Sequence, residues 1–316
     1  MKRKTAVCVK PECGGRTLLD FVAERFTYRS REEWQQEIEA GRFLVNDEGP
    51  ALAMTMLFAG DRLVYLMPEL EEPRVERRFS VLHEDDDLLV VDKPANLPCH
   101  PGGRFFRHTL WALLKEEHGL AQPSLINRLD RETSGIVVVA KNIKAARCCC
   151  QQFAAHLVRK SYRVMVEGEF PVESLQAEGR LFLDPASAVR KKFRYYPRKG
   201  AESSPVGGEC STTFRLLRYE NGISLLEAVP ITGRCHQIRA TLCSLGFPVV
   251  GDKLYGVDEQ LFLRFRQGSL TAHDRQRLRM PRQALHAASL QLAHPADGRE
   301  LSFFSSLPPE FSSFFE

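Results

Sequence analysis

Short runs of β-branched and apolar residues, each bounded by turn-forming residues, constrain this chain more than any other feature. This pattern is typical of strands. The runs are Val81–Leu82, Leu88–Val91, Ile136–Ala140, Tyr162–Val166, Leu181–Leu183, Thr212–Leu217 and Leu225–Val229. Helical patterns lie among them at about Leu110–Glu117, Ala145–Leu157 and His236–Leu245. Several hairpins with a few helices predict an α+β domain with a mainly antiparallel, mixed sheet rather than a doubly wound one.

The beginning of the chain follows a different pattern. Residues 1–15 contain Lys2, Arg3, Lys4 and the pair Gly14-Gly15 without apolar periodicity, which predicts a flexible basic arm. Leu18, Leu19, Val22 and Phe26 then recur at helical spacing. Ser30 with Glu33 is typical of a capping box that opens a second helix, and Gly41 is placed to end it. Short strands are predicted at Phe43–Asn46 and Leu63–Leu66.

Two short helices followed by short strands resemble the small α/β RNA-binding domain named after ribosomal protein S-four. Arginines are scattered through this region, at Arg16, Arg25, Arg29, Arg31 and Arg42. The resemblance predicts an RNA-binding domain over residues 16–67. The alternative is a generic helical cap with solvated arginines. Residues 68–76 hold two prolines and four glutamates and predict a linker. Residues 77–316 form the larger predicted domain.

Composition limits the partners and the compartment. A chain of 316 residues favours one large and one small domain. Its nine cysteines lack the spacing of a disulfide framework or a zinc site, and the chain shows no signal peptide and no long apolar span. We therefore expect free thiols in a reducing cytoplasm, no metal, no membrane partner and a monomer. The net charge of +4 is uninformative alone.

One carboxylate in the chain is a candidate for chemistry. Asp130 lies in the segment Asn127-Arg128-Leu129-Asp130-Arg131-Glu132-Thr133-Ser134-Gly135. An Asp close to an Arg is stabilised as the anion, which makes it available as a nucleophile or base. Gly135 allows a sharp turn into the apolar strand that follows. Taken alone, such an Arg-Asp pair is more often structural.

The same segment resembles the HRLDxxTSG motif of the RluA family of pseudouridine synthases, and further blocks of that family follow its order. They are Asp87–Pro98 (DLLVVDKPANLP), Lys160-Ser161-Tyr162, Pro230–Tyr255 (PITGRCHQIRATLCSLGFPVVGDKLY), Leu285-His286-Ala287 and His294-Pro295. The sequence departs from the family at four positions. They are Asn127 for His, Asn96 for Gly, Thr241 for His and Cys235 for Thr.

The resemblance implies the pseudouridine synthase fold and a role for each matched residue. Asp130 is then the catalytic residue, and Tyr162 stacks on the target uracil. Arg239 is the expected ion-pair partner of Asp130, with Arg234 as the less favoured choice, and Arg128 is expected to fill the space left by a flipped uridine. The implied substrate-binding residues are Arg128, Arg131, Thr133, Lys160, Arg234, His236 and Gln237. Whether Asp130 attacks the anomeric carbon or removes the neighbouring ribose proton stays open.

No cofactor is expected, because one glycosidic bond replaces another and the chain has no GxxxxGK[ST] or GxGxxG motif. Local charge favours RNA as the partner, with rRNA preferred to tRNA. Residues 128–163 carry eight Lys or Arg against Asp130 and Glu132, and Arg190–Lys199 carries six with Phe193, Tyr195 and Tyr196 between them. Two alternatives remain: a catalytically silent RNA-binding or ribosome-assembly protein, and an RNA N-glycosylase.

Overall fold

The computed structural model describes residues 4–27, 29–68, 71–198 and 207–315. The chain divides into two compact units, Met1–Glu71 and Glu72–Glu316. This boundary falls inside the predicted linker 68–76, of which Glu69 and Leu70 lie outside the described residues. The predicted arm and the predicted basic segment each extend beyond the described residues, at residues 1–3 and at Lys199. No helix of the described part is long and apolar enough to span a membrane.

The smaller unit contains two helices and two small sheets. Its elements are β1 (Lys4–Cys8), β2 (Arg16–Thr17), α1 (Leu18–Arg25), α2 (Arg31–Glu39), β3 (Phe43–Val45), β4 (Glu48–Pro50), β5 (Met56–Leu57) and β6 (Arg62–Leu66). Four strands form an antiparallel sheet in the order β1-β6-β3-β4, and β2 pairs with β5. The capping box predicted at the start of α2 is present, with both Ser30–Glu33 hydrogen bonds formed.

The prediction of a flexible arm is wrong for Lys4–Cys8. This segment forms β1 and pairs with β6 along its whole length, from Lys4 opposite Leu66 to Cys8 opposite Arg62. Val9, immediately after the strand, is buried in the core of the unit. Backbone pairing on a partner strand holds the segment, and such pairing leaves little trace in a short sequence that is mostly exposed.

Most arginines of the smaller unit are engaged in ion pairs inside it. Arg29 and Arg42 both bind the buried carboxylate of Glu37, at 2.9 and 2.7 Å. The same carboxylate accepts a hydrogen bond from the Tyr65 hydroxyl. Arg16 pairs with Glu24, and Arg31 pairs with Asp20. These arginines therefore stabilise the unit, whatever they contribute to binding.

The larger unit is built on one sheet of eleven strands. Its strands are β7 (Ser80–Glu84), β8 (Leu88–Lys93), β9 (Ser124–Leu125), β10 (Ser134–Ala140), β11 (Arg159–Glu167), β12 (Ser174–Leu183), β13 (Phe193–Pro197), β14 (Gly207–Glu220), β15 (Ile223–Pro230), β16 (Leu285–Ala293) and β17 (Glu300–Phe304). Its helices are α3 (Leu110–Glu116), α4 (Ile143–Ala154), α5 (Gln237–Ser244), α6 (Gln260–Gln267), α7 (Ala272–Leu278) and α8 (Pro309–Ser312).

The sheet has the order β13-β12-β14-β15-β11-β16-β10-β8-β7, with β17 beside β16 and β9 beside β10. Among the described strands, β10 and β16 form the one parallel pair, and the other pairs are antiparallel. The predicted α+β class with a mainly antiparallel, mixed sheet is confirmed.

The centre of the sheet is covered on both faces, which explains its continuous apolar runs. Alternate residues of a strand point to opposite faces. One set packs with α3 and comprises Leu89, Val91, Val137 and Val139, whereas Leu88, Val90, Ile136 and Val138 pack on the other face with Cys149 of α4. A further cluster lies around α5 and the strands from β11 to β15.

The basic segment predicted to stack on unpaired bases is partly built into this sheet. Phe193–Pro197 forms β13 and pairs with β12. Tyr195 is buried, and its hydroxyl donates to the Glu178 carbonyl at 2.9 Å. Tyr195 is therefore a core residue rather than a stacking surface, because β13 alternates its side chains between core and solvent.

Candidate active site

The loop that carries Asp130 is held where β10 and β16 run parallel. Ser134 and Gly135 of β10 lie opposite His286 and Ala287 of β16. Gly135 has φ +112°, and a Cβ added there would overlap the backbone of Ala287. Only glycine allows the two backbones to approach so closely. Just before the strand, Thr133 N–H donates to the Asp130 carbonyl at 3.1 Å and closes the loop.

Arg239 of α5 connects two carboxylates. Its Nε and Nη2 donate to Asp252 at 2.6 and 2.9 Å, and its Nη1 donates to Asp130 Oδ2 at 2.6 Å. Asp252 is fully buried and also accepts the backbone N–H groups of Leu254 and Tyr255. The paired contact fixes the plane of the guanidinium, so that its third nitrogen, Nη1, is aimed at Asp130.

The pKa of Asp130 lies below its ordinary value. Burial opposes the charged form, but the nearby Arg239 charge, a smaller contribution from His236 and hydrogen bonds from Arg239 and Gln283 outweigh it. The carboxylate is still 31% exposed, so that it is open to the cleft. Asp130 is therefore an accessible anion at neutral pH.

A second set of contacts holds the Asp130 loop in place. Gln283 Nε2 donates to Thr133 Oγ1 at 2.6 Å and lies 3.4 Å from Asp130 Oδ2. Lys253 Nζ donates to both carboxylate oxygens of Glu132, at 3.0 and 2.8 Å. Glu132 and Thr133, which follow Asp130, are thus fixed by residues that lie far along the chain.

Lys93 anchors the other side of the loop. Its ammonium group is fully buried and donates to the carbonyls of Pro94, Leu97 and Arg131, at 2.8, 2.9 and 3.3 Å. Burial lowers the pKa of Lys93 to about 8. These contacts use all three donors of the ammonium and tie the turn after β8 to the Asp130 loop.

Tyr162 faces the same cleft as Asp130. It follows a bulge in β11, where the pairing with β16 shifts between Ser161 and Tyr162. Burial, with the nearby Asp130 charge, raises the pKa of Tyr162 to about 12, so the phenol keeps its proton at neutral pH. The recess around these two residues has a volume of about 90 Å³ and opens into an outer cleft of about 540 Å³.

Most residues predicted for the site line this recess. They are Arg128, Asp130, Thr133, Lys160, Tyr162, Arg234, His236, Gln237 and Arg239. Arg131 lines the outer cleft instead. Its guanidinium lies 5.4 Å from the ring centroids of both Phe105 and Phe265.

Several of these predicted residues are occupied by contacts within the protein. The Gln237 amide bonds to Thr232, to the Arg234 N–H, to Ser211 and to Thr212, which shapes the turn before α5. His236 Nδ1 lies 3.0 Å from the Tyr255 hydroxyl, and its Nε2 lies 3.8 Å from Asp130 Oδ1. Arg234, the less favoured partner of Asp130, donates to the Glu209 carbonyl at 3.3 Å.

Two departures from the family motif have a local structural explanation. The Asn127 amide accepts from Val138 N–H at 2.8 Å and donates to the Ile136 carbonyl at 3.0 Å. It continues the pairing of β9 with β10, because a carboxamide carries the same donor and acceptor as a peptide group. Asn96 has φ +60°, a conformation that asparagine tolerates better than most residues.

The other two departures are Cys235, just before α5, and Thr241, within it. Cys235 is exposed. The buried Thr241 hydroxyl has no hydrogen-bond partner among the described residues. The structure gives no reason for threonine at that position.

The sequence did not single out Asp252, Lys253, Gln283 or Lys93. Three of them lie within matched blocks, so the blocks held the signal. Only the fold shows that Lys93 and Lys253 contact the Asp130 loop and that Asp252 holds Arg239. Gln283 lies just before the Leu285-His286-Ala287 block and is uncharged, and nothing in the sequence marked it.

The mixed sheet, with Asp130 on the loop before β10, has the pseudouridine synthase fold. A solved structure of human RNA pseudouridylate synthase domain containing 4 superimposes with a TM-score of 0.57 at 26% identity, over 73% of this chain and 90% of that one. Residues 87–244 match the model of the family described as RNA pseudouridylate synthase. The chain belongs to this family.

Curated relatives extend the match along the chain. Identity is 34% to the mitochondrial tRNA pseudouridine(32) synthase of Saccharomyces cerevisiae, over 77% of this chain but about half (51%) of the yeast protein. It is 35% to an uncharacterized RNA pseudouridine synthase of Synechocystis sp., over 76% of this chain and 79% of the relative. Identity is 30% to ribosomal large subunit pseudouridine synthase D of Zymomonas mobilis, over 93% of this chain and 91% of the relative.

Proposed function

We propose that the protein isomerises specific uridines in structured RNA to pseudouridine, with Asp130 as its essential carboxylate. One observation carries this proposal: Arg239 Nη1 donates to Asp130 Oδ2 at 2.6 Å, in a recess shared with Tyr162. An anionic carboxylate held by a buried guanidinium stands beside an aromatic side chain that suits a pyrimidine ring.

The reaction breaks the bond from the ribose anomeric carbon to ring nitrogen 1 and joins the same carbon to ring carbon 5. Carbon 5 loses its proton, and nitrogen 1 gains one. The lowered pKa of Asp130 suits either first step, attack on the anomeric carbon or removal of the neighbouring ribose proton. Atoms and electrons balance within the nucleotide, and we propose that neither metal nor cofactor takes part.

The surrounding residues receive roles from their positions. Tyr162, protonated at neutral pH, stacks on the uracil and presents a hydroxyl toward the proton on carbon 5. Arg128 lines both the recess and the outer cleft, where it takes the place of a uridine flipped out of a helix. Lys160 and Arg234 lie at the recess as cations for the flanking phosphates.

We propose rRNA rather than tRNA as the substrate. Relatives named ribosomal large subunit pseudouridine synthase D match along both units, over 93% and 96% of this chain. The match to the yeast tRNA enzyme covers 77% of this chain. We also propose that the smaller unit contacts RNA, and that the protein acts as a monomer in the cytoplasm, where its cysteines stay free.

The test is to incubate the protein with rRNA and tRNA transcripts and to map pseudouridines by carbodiimide-dependent reverse-transcription stops. Wild type is expected to modify a small number of rRNA uridines. Asp130→Asn is expected to lower the single-turnover rate at least about 1,000-fold, because the amide keeps the shape but loses the nucleophile. Its RNA affinity is expected to stay within a few-fold.

Each competing function gives a different result in this test. Release of free uracil would identify an N-glycosylase. Binding without product on any RNA would identify a silent RNA-binding protein. Full activity of Asp130→Asn would refute the role of Asp130.

A further inference from the structure

A second pocket lies beside α6 and α7, outside the recess of Asp130. It has a volume of about 500 Å³. Phe265, Leu270 and Met280 contribute apolar surface, and Lys253, Arg275 and Arg279 contribute positive charge. The described residues that line it include no acidic side chain. We call it the α6–α7 pocket.

The cations of this pocket differ in how far they are engaged. Lys253 binds Glu132, and Arg279 binds Glu167 at 2.8 Å. Arg275 is exposed, and no ion pair holds it among the described residues. An apolar floor with a free guanidinium at the rim matches a ligand that carries both a flat ring and an anionic group.

Two residues that line the α6–α7 pocket contact the Asp130 loop. Phe265 contacts the Arg131 guanidinium at 5.4 Å, and Lys253 Nζ lies 2.8 Å from the Glu132 carboxylate. Arg131 and Glu132 directly follow Asp130, and two residues span at most about 7 Å of chain. The pocket therefore lies within the span of a few nucleotides from a uridine held in the recess.

We propose that the α6–α7 pocket binds an unpaired nucleotide that flanks the target uridine in the same RNA. The base lies against Phe265, Leu270 and Met280, and the phosphate binds Arg275. Bases are sequence-tolerant stacking partners for apolar and aromatic side chains, and each phosphate contact by a cation adds affinity that falls with salt. This inference rests on the proposed function, which supplies RNA as the ligand.

The binding test uses the full chain and a single-stranded oligouridylate of twelve nucleotides carrying a terminal fluorescein. Arg275→Ala is expected to weaken binding about fivefold and to reduce the slope of log affinity against log salt by about 0.7, the value for one phosphate on a single strand. Arg275→Lys is expected to keep most of the wild-type affinity and most of the wild-type salt slope, because lysine keeps the charge. Equal affinity and slope in wild type and Arg275→Ala would overturn the proposal, as would failure of wild type to bind.

The matched control is Arg299→Ala. Arg299 is exposed and lies beyond Ala293, whereas Leu285, at the other end of β16, lines the recess. The nine residues of β16 separate these ends by about 25 Å. Arg299→Ala is expected to match wild type, and a loss equal to that of Arg275→Ala would show a general charge effect and overturn the proposal.

Location is tested with the same oligonucleotide containing 4-thiouridine, irradiated in near-ultraviolet light and mapped by mass spectrometry. Crosslinks are expected in segment 265–280 as well as near Tyr162. Crosslinks near Tyr162 alone would overturn the proposal. The two proposals fail separately. Crosslinks at the pocket, with no pseudouridine formed in the rRNA and tRNA transcripts, refute the proposed function only. Product in the transcripts without crosslinks at the pocket refutes the pocket only.

Discussion

Arg239 divides its donors between a buried and an accessible carboxylate. Asp252 accepts hydrogen bonds from Nε and Nη2 and fixes the guanidinium, and Asp130 accepts one from Nη1. Removing the guanidinium altogether would leave two carboxylates without their cation, one of them fully buried, and such losses typically cost about 3–5 kcal/mol. A lysine keeps the charge but cannot serve both carboxylates in one plane.

For Arg239→Lys we expect the acid limb of the pH–rate profile to move to higher pH. Burial still opposes the Asp130 anion, and a weaker cation lowers its pKa less, so the carboxylate is protonated, and activity lost, at a higher pH than in wild type. Single-turnover rates on an RNA that wild type modifies, measured from pH 3 to 8, check this. The control is Arg234→Lys, because Arg234 reaches the Glu209 carbonyl and not Asp130. An unmoved acid limb in Arg239→Lys would contradict the ion pair's role.

Sequence motifs predicted which residues belong to the site better than they predicted what each contacts. Asp130, Tyr162 and Arg239 were named from matched blocks and line one recess, and their catalytic roles stay predictions. The sequence did not single out Asp252 and Gln283, because their importance depends on contacts with side chains elsewhere in the chain. Gln237 looked like a ligand group, but its amide is fully bonded inside the protein, and residue type alone does not reveal such bonding.

At the level of elements, apolar runs predicted the central strands well and the outer ones poorly. Leu88–Val91 of β8 and Ile136–Ala140 of β10 are covered on both faces, so every residue of these two runs is apolar and the pattern is strong. β1 and β13 lie at the ends of their sheets and carry mixed or basic residues, so backbone pairing rather than burial holds them. Such pairing depends on a partner strand that the local sequence does not specify.

The parallel pair of β10 and β16 yields a prediction for Gly135. Gly135→Ala is expected to destabilise the protein by about 3 kcal/mol or more, because a methyl group would both strain the backbone and collide with Ala287. Gly168→Ala is the matched control. Gly168 also has positive φ, at +85°, but an added Cβ meets nothing within 4 Å.

Urea unfolding measures both variants. For Gly168→Ala we expect a loss of about 1 kcal/mol, the cost of backbone strain alone. Equal losses for the two variants would show that the contact with Ala287 has no effect on stability.

At the scale of the whole molecule, the residues of the site all belong to the larger of the two units. Asp130, Arg239, Asp252 and Gln283 all lie in Glu72–Glu316, and so do the residues of its three core clusters. Glu72 must be kept in any truncation. Its carboxylate accepts the N–H groups of Phe106, Arg107 and His108 at 2.7, 2.9 and 2.9 Å.

Deletion of residues 1–71 is therefore expected to leave a folded unit with a nearly unchanged single-turnover rate at saturating RNA. Its affinity for a structured rRNA fragment is expected to fall roughly tenfold, because the RNA contacts that we propose for the smaller unit are lost. Thermal unfolding confirms folding, and titration with the fragment measures affinity. Equal affinity before and after deletion would remove the proposed role of the smaller unit.

The parallel contact of β10 with β16 also determines when the site can form during synthesis. Ser134 Oγ binds His286 Nδ1 across 152 residues of chain, and Gln283 reaches Thr133 across 150. Contacts of such long sequence separation form late and slowly, because the loop between them must close first. On the ribosome, the contacts of the Asp130 loop with Gln283 and β16 cannot form until these residues have been synthesised. The nascent chain therefore gains its enzymatic competence only after β16 has been translated.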